Sequence, residues 1–323
     1  MLKLMGLGIL SGVFFSATFV LNEAMSAAGG HWLWSASLRY GFVIIFLTLF
    51  LLIRSGVSYL REMTRLLLDY KSFWIITGTI GFGFFYLFLC YSADHTPGWI
   101  ISATWQFTLV AALIIFGLLG KSSHPLVWVF AIVIFSGVVL VNLSHLHTMT
   151  SDQLIYGAVP VLIAAFCYPL GNQILWEAKY GTHKRIPHIK SRLLNDVFAK
   201  IWLLSVGTLP LWLILIAVVQ PQQPSVGQLT STAIVALLSG VIATGLFIMA
   251  RNKAANTTEI AAVDATQAFE ILFVIVGGYV LLDSELPNVV SSVGVLLIVI
   301  GLGLFMKYQK LEPKPKIPTD KMI

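Results

Sequence analysis

Glu270 lies near the middle of a long, mostly apolar stretch, 259–282, with about 12 residues on either side. In a helix its carboxyl would be about 18 Å from either end, out of reach of surface water. A charge at such depth in hydrocarbon costs at least ~2.5–3.5 kcal/mol, so the residue needs a reason to be there. Two reasons fit. The acid can couple transport to protons, with a proton and a cationic substrate competing for it. Or it can stay protonated and hydrogen-bond a neighbouring helix.

Gln267 and Asp264 precede Glu270 by three and six residues. At about 100° per residue the three form a slanted polar stripe on one helix face. The stripe is expected to be a substrate- or proton-coupling wall of a cavity. Asp264 has a second option, snorkelling toward Arg251 or Lys253. Trp105, with Gln106 beside it, offers a stacking surface for an aromatic or cationic substrate; lipid-facing or core packing is the alternative. Pro169 and Gly171 are expected to interrupt the stretch 154–177, or merely to kink it, because proline frees a backbone carbonyl. Tyr168 and Asn172, on either side of that interruption, and Asn22 are expected to line the same cavity.

A second constellation pairs acids with cations. Glu23 and Arg39 lie about 7–11 Å below one surface, on consecutive stretches. Glu177 and Lys200 occupy mirrored places near the other surface. The expectation is one Glu–cation pair per half, serving as structural bridges or as alternating gates. Asp196, one turn before Lys200, is a rival partner. No metal-ligand spacing occurs, and Gly120-Lys121-Ser122 lacks the first glycine of a Gly-x-x-x-x-Gly-Lys-Ser/Thr phosphate loop, Ile115 standing there, so no metal or other cofactor and no direct ATP coupling is expected.

These groups must be held by elements that live in lipid. Of the 323 residues, 58% are hydrophobic and 11% charged, and mean hydropathy is +0.88. A soluble domain averages about 25% charged residues. The composition excludes a soluble enzyme, a nucleic-acid binder and a secreted disulfide scaffold. Cys90 and Cys167 sit inside apolar runs and read as small apolar fillers. One crossing of a bilayer takes about 20 apolar residues. Ten stretches qualify: 4–28, 32–53, 73–92, 97–119, 125–144, 154–177, 195–219, 230–250, 259–282 and 286–306. They lack period-two alternation, and only helices or closed barrels satisfy the backbone in lipid, so an all-α membrane protein is predicted.

The net charge of +6 is arranged by side. Two of the 20 Lys/Arg, Arg39 and Lys200, fall inside stretches; counting crossings assigns the other 18 to a single side. The positive-inside rule then puts both termini in the cytoplasm, with the chain multi-pass in the plasma (inner) membrane. The basic, amphipathic segment 54–72 lies along the inner surface or is a plain connector. Residues 307–323 form a Lys- and Pro-rich tail, expected to be disordered.

A weak internal repeat runs through the chain. A shift of 162 pairs Gly83 with Gly245, Phe85 with Phe247, Ala103-Thr104 with Ala265-Thr266, Phe107 with Phe269 and Pro125 with Pro287. A shift of 154 pairs Leu21–Ala24 with the similar Leu175–Ala178. The repeat divides the chain into 1–150 and 151–306, five helices each. An odd number of helices forces the second half to enter from the opposite side, giving two inverted-topology five-helix repeats.

Ten helices, inverted halves and cytoplasmic termini resemble the drug/metabolite transporter superfamily, in its EamA-type ten-helix branch. The segment AAVDATQAFEILFVIVGGYVLLDSELP, ending in Leu282-Asp283-Ser284-Glu285, is similar to the signature of that family's second half. Gln267-Ala268-Phe269-Glu270 stands where many members carry Glu-Pro or Pro, and Asn22-Glu23 stands where the first helix often ends in Lys. Those departures resemble the multidrug resistance efflux transporters. The resemblance implies that helices 1–4 and 6–9 line a central cavity and that helices 5 and 10 pack outside it. It also implies secondary active export of small metabolites or drugs by alternating access, in exchange for protons. The expected partners are a small cationic or aromatic substrate, protons and membrane lipids, with no nucleic acid, and the chain is expected to be a monomer or weak dimer rather than an enzyme. Facilitated uptake or exchange of a sugar or amino acid is the nearest rival, and a lipid flippase or intramembrane enzyme the rival of another class.

Overall fold

A computed structural model describes residues 2–119, 125–144, 151–181, 183–254, 259, 263 and 266–309. They form ten apolar helices: α1 (Leu2–Ala27), α2 (Trp32–Asp69), α3 (Lys71–Ser92), α4 (Gly98–Leu118), α5 (Pro125–Leu143), α6 (Ile155–Tyr180), α7 (Val197–Val219), α8 (Val226–Arg251), α9 (Thr266–Leu282) and α10 (Val289–Tyr308). All but α9 are long and apolar enough to cross a bilayer, and α9 is shorter over its described length. No strand occurs among the described residues. Large apolar side chains such as Leu213, Val276, Leu281 and Leu296 face outward. In water such a surface would be a liability; in lipid it is the ordinary exterior. The chain is an all-α membrane protein.

Most helix ends fall within four residues of the sequence expectation. The second helix is the exception. It runs on to Asp69 through a break at Gly56, whose φ of 80° suits a residue without Cβ. The 57–69 portion is therefore helical, with Met63 and Leu66 buried against Ile189, Leu193 and Leu194 of the α6–α7 connection. Two ion pairs pin it there. Arg54 meets Asp196, which also accepts from Tyr59 Oη at 2.7 Å, and Arg192 meets Glu62 at 2.7 Å. Asp196 also caps α7, accepting from the Phe198 N–H at 3.0 Å. Burial pushes the Asp196 carboxyl up. Arg54, Tyr59 and the Phe198 N–H more than offset this and hold it below the usual carboxylate range.

Besides the break in α2, α7 is interrupted at Thr208, and four further helices are irregular in two pairs. α3 carries a π-helical segment at Thr79–Phe84 and α8 one at Ala236–Ala243. α4 breaks at Gln106 and Phe107 before resuming at Thr108; α9 opens with a 3₁₀ turn, Thr266–Phe269, before its α-helical part begins at Glu270. Thr108 and Glu270 are 162 residues apart, the register of the sequence repeat. π segments and broken helices in lipid are tolerated where they line a cavity or are buried in protein.

The expected interruption of α6 is not formed: the helix runs continuously through Pro160 and Pro169. Pro169 has no N–H for the Ala165 carbonyl, and Thr108 Oγ1 donates to that oxygen at 3.2 Å. The freed group is satisfied from a neighbouring helix, so the backbone has no need to unwind. Gly171 serves a different end. It lies against Gly81 of α3, where a Cβ built on Gly171 would stand 2.3 Å from the Gly81 Cα. Such small-residue contacts let backbones approach where no hydrophobic effect drives association. α5 and α10 meet the same way through Gly137 and Gly294.

Candidate functional site

A chamber of about 560 Å³ lies between the helices and receives side chains from all of them except α5. α10 contributes Leu302 and Met306, so it is not wholly peripheral as the family resemblance implied. The chamber reaches the bundle end that carries exposed Arg251 and also Val197. At the other end it stops near Thr18, Arg39 and Leu89.

Beyond that floor the bundle is tied shut by polar contacts. Glu23 accepts from the Gly98 N–H at 2.8 Å and from Ser284 Oγ at 2.6 Å, joining α1 to α4 and to the α9–α10 loop. Asn22 and the Tyr86 hydroxyl exchange hydrogen bonds at 3.1 and 3.2 Å. Gln228 Nε2 reaches the His31 carbonyl and Ser35 Oγ, both at 2.9 Å, joining α8 to the start of α2. Buried amide and carboxylate groups bonded in this way resist water entry.

Glu270 opens the α-helical part of α9 and lines the chamber, itself only 7% exposed. Its carboxyl has no hydrogen-bond or ion-pair partner among the described residues. The backbone reason for its position is the 3₁₀-to-α change at Phe269, which sets an acid in the first turn, where peptide dipoles favour negative charge. α1 approaches closely at this level: a Cβ on Gly12 would meet the Glu270 nitrogen at 3.8 Å. Gln267 also lines the chamber, and its Nε2 is buried without a partner among the described residues. Asp264, the third member of the expected stripe, lies outside the described residues.

Trp105, Gln106, Tyr168 and Asn172 all line the chamber. Phe85 joins two of them in an aromatic wall, 4.8 Å from Trp105 and 5.1 Å from Tyr168 between ring centroids, with Trp105 and Tyr168 edge-on at 5.7 Å. Gln106 Nε2 and Asn172 Nδ2 donate to backbone carbonyls one turn back, at 3.3 and 3.0 Å. Asn22 was expected on the lining but is buried behind it, against Tyr86.

The acid–cation constellation is arranged differently from expectation. Glu23 and Arg39 do not pair. Glu23 is taken by Gly98 and Ser284, while Arg39 turns into the chamber, where its Nη2 donates to Ser239 Oγ at 2.9 Å and its Cζ lies 3.9 Å from the Tyr86 ring centre. Thr18 Oγ1 donates to the same Ser239 oxygen at 2.7 Å. Glu177 accepts from Gln173 Nε2 at 2.6 Å, and no ion pair joins it to Lys200 among the described residues. Lys200 lines the chamber instead. The rival partner, Asp196, is engaged by Arg54. Sequence reasoning assigned Arg39 and Lys200 to pairs, whereas both of these cations, inside apolar stretches, line the chamber.

Comparisons with known proteins agree with this architecture. Residues 2–311 match the family model EmrE, described as "Putative multidrug resistance efflux transporter". The chain is 36% identical to the uncharacterized protein YjlA of Bacillus subtilis (strain 168), with 99% of each chain covered. It is 35% identical to an uncharacterized 42.1 kDa protein of Shouchella clausii, over 78% of this chain and 65% of that one. A solved crystal structure superposes with a TM-score of 0.57 at 15% identity, covering 96% of this chain and 99% of the other, a likeness of fold alone. Matched along nearly its whole length, the chain belongs to the EmrE family of multidrug resistance efflux transporters.

Proposed function

We propose that the protein exports small molecules by alternating access, with Glu270 as the group at which a proton and a cationic part of the substrate compete. The observation that carries the reading is the buried Glu270 carboxyl, without a partner among the described residues, on a broken helix that lines the chamber between the helices. Paired irregularities in α3 and α8, and in α4 and α9, support two inverted five-helix halves, 1–150 and 151–306, with the chamber at their seam. If both termini are cytoplasmic, the chamber is open to the cytoplasm and the Glu23 cluster is the closed extracellular gate. Exchange with the outward-open form then carries the substrate across. Glu177, opposite Glu23 in the repeat, is the candidate for the alternate closure.

The test is flux in proteoliposomes with ethidium, an aromatic cation, as the probe. Wild-type protein is expected to move ethidium up its gradient when an opposing proton gradient is imposed, and Glu270→Gln to lose that response. Equal ethidium flux with and without the proton gradient contradicts the coupling.

A further inference from the structure

Arg39 is a charged lining residue that this coupling leaves unused. Its Nη2 is bonded to Ser239, but Nε and Nη1 are shielded from solvent with no hydrogen-bond partner among the described residues. A partly buried cation with two shielded, unmet donors is costly, and such a group persists where some state of the working cycle supplies acceptors. The nearby acids do not supply them here. Glu23 is engaged elsewhere. Glu270 sits at the level of Gly12, whereas Ser239, which anchors Arg39, is bonded at the level of Thr18. Those levels are six residues apart on α1, about 9 Å along the axis. Among the described residues that line the chamber interior, Arg39, Lys200 and Glu270 are charged, two cations to one acid, and Arg251 lies exposed at the chamber's end. An anionic group on the occupant would offset the excess positive charge of that lining.

We infer that the substrate is amphoteric: a flat ring against Phe85, Trp105 and Tyr168, a cationic group at Glu270, and an oxyanion, carboxylate or phosphate, at Arg39. The cationic part rests on the coupling proposed above; the oxyanion part stands on Arg39 alone. Turning the guanidinium off the Tyr86 ring offers its planar fork to two oxygens, a geometry that lysine cannot copy. Tyr86 and Ser239 hold the group in waiting until the substrate arrives.

The test uses the purified full-length protein and a matched pair of probes, para-aminomethylbenzoate and para-aminomethylbenzamide, which differ only in the oxyanion. In calorimetric titration the acid is expected to bind at least about tenfold more tightly than the amide, the range of a charge-assisted contact. Arg39→Gln is expected to erase that ratio while leaving amide affinity within about twofold, and Arg39→Lys to restore part of it. A merely structural Arg39 would weaken both probes alike and leave the ratio intact, which overturns the inference. So does an acid that binds no more tightly than the amide. Should Arg39→Gln fail to fold, Arg39→Lys decides: an unchanged ratio there overturns the planar fork. Proton release in the same titrations separates the two proposals. An Arg39-dependent ratio without Glu270-dependent proton release sinks the coupling and keeps the oxyanion site; proton release without the ratio does the reverse.

Discussion

The breaks in α4 and α9 are the same backbone device put to different uses. Both helices pause at the centre of the bundle and resume at residues 162 apart, Thr108 and Glu270. Thr108 spends its hydroxyl on the Ala165 carbonyl that Pro169 leaves unbonded. Glu270 is bonded to nothing among the described residues and faces the chamber. The contrast separates structural from functional polarity in lipid: a satisfied polar group stabilises a crossing, and an unsatisfied one waits for a ligand or a proton. The chamber thus carries charge where α7, α8 and α9 line it and none where α3, α4 and α6 do, among the described residues.

The largest effects should come from breaking that asymmetry at Glu270. Glu270→Gln is expected to lower proton-driven ethidium flux by two orders of magnitude or more, because no other acid lines the chamber among the described residues; flux in reconstituted vesicles measures it. Thr108→Val should leave coupling intact and cost about 1 kcal/mol of stability, the price of one unpaired carbonyl, read as reduced resistance to unfolding in detergent. If Thr108→Val abolishes coupling while Glu270→Gln does not, the contrast is inverted.

Packing comes next. Gly171→Ala drives a methyl into the Gly81 backbone, where nothing flexible can yield. The expected loss is about 1–3 kcal/mol, seen as a lower melting temperature. Gly303→Ala meets open space and should be near neutral.

The smallest effect concerns the basic end. Asp196 has a lowered pKa in the folded protein, so its contribution is present above the unfolded carboxylate value and is lost as pH falls through the folded one. Melting temperature should therefore drop below about pH 4, and Asp196→Asn, worth about 1 kcal/mol, should flatten that acid limb. An unchanged limb in the variant places the acid sensitivity elsewhere.

How much of this could be read from the chain differs by feature. The helices were legible because hydrocarbon leaves the backbone few options, and each crossing writes itself as an apolar run. Residues 267, 270, 105, 106, 168 and 172 were legible as lining because polar or aromatic groups inside such runs need a reason. Partner choice was not legible. Glu23 and Arg39 have suitable depths, but helix rotation decides that one faces Gly98 and Ser284 and the other the chamber. That Pro169 would not interrupt its helix was not legible, because the rescuing hydroxyl, Thr108, is 57 residues away from Ala165 in sequence. The π segments of α3 and α8 have no residue signature, since they follow from how neighbouring helices pack.

Carbodiimide labelling tests the central assignment most directly, since the hydrophobic reagent dicyclohexylcarbodiimide attacks protonated carboxyls in apolar surroundings. Mass spectrometry of the intact, purified protein should find the adduct on Glu270, falling as pH rises and suppressed by a saturating amphoteric probe. Labelling confined to Glu23 or Glu177, with Glu270 untouched at every pH, would contradict the account.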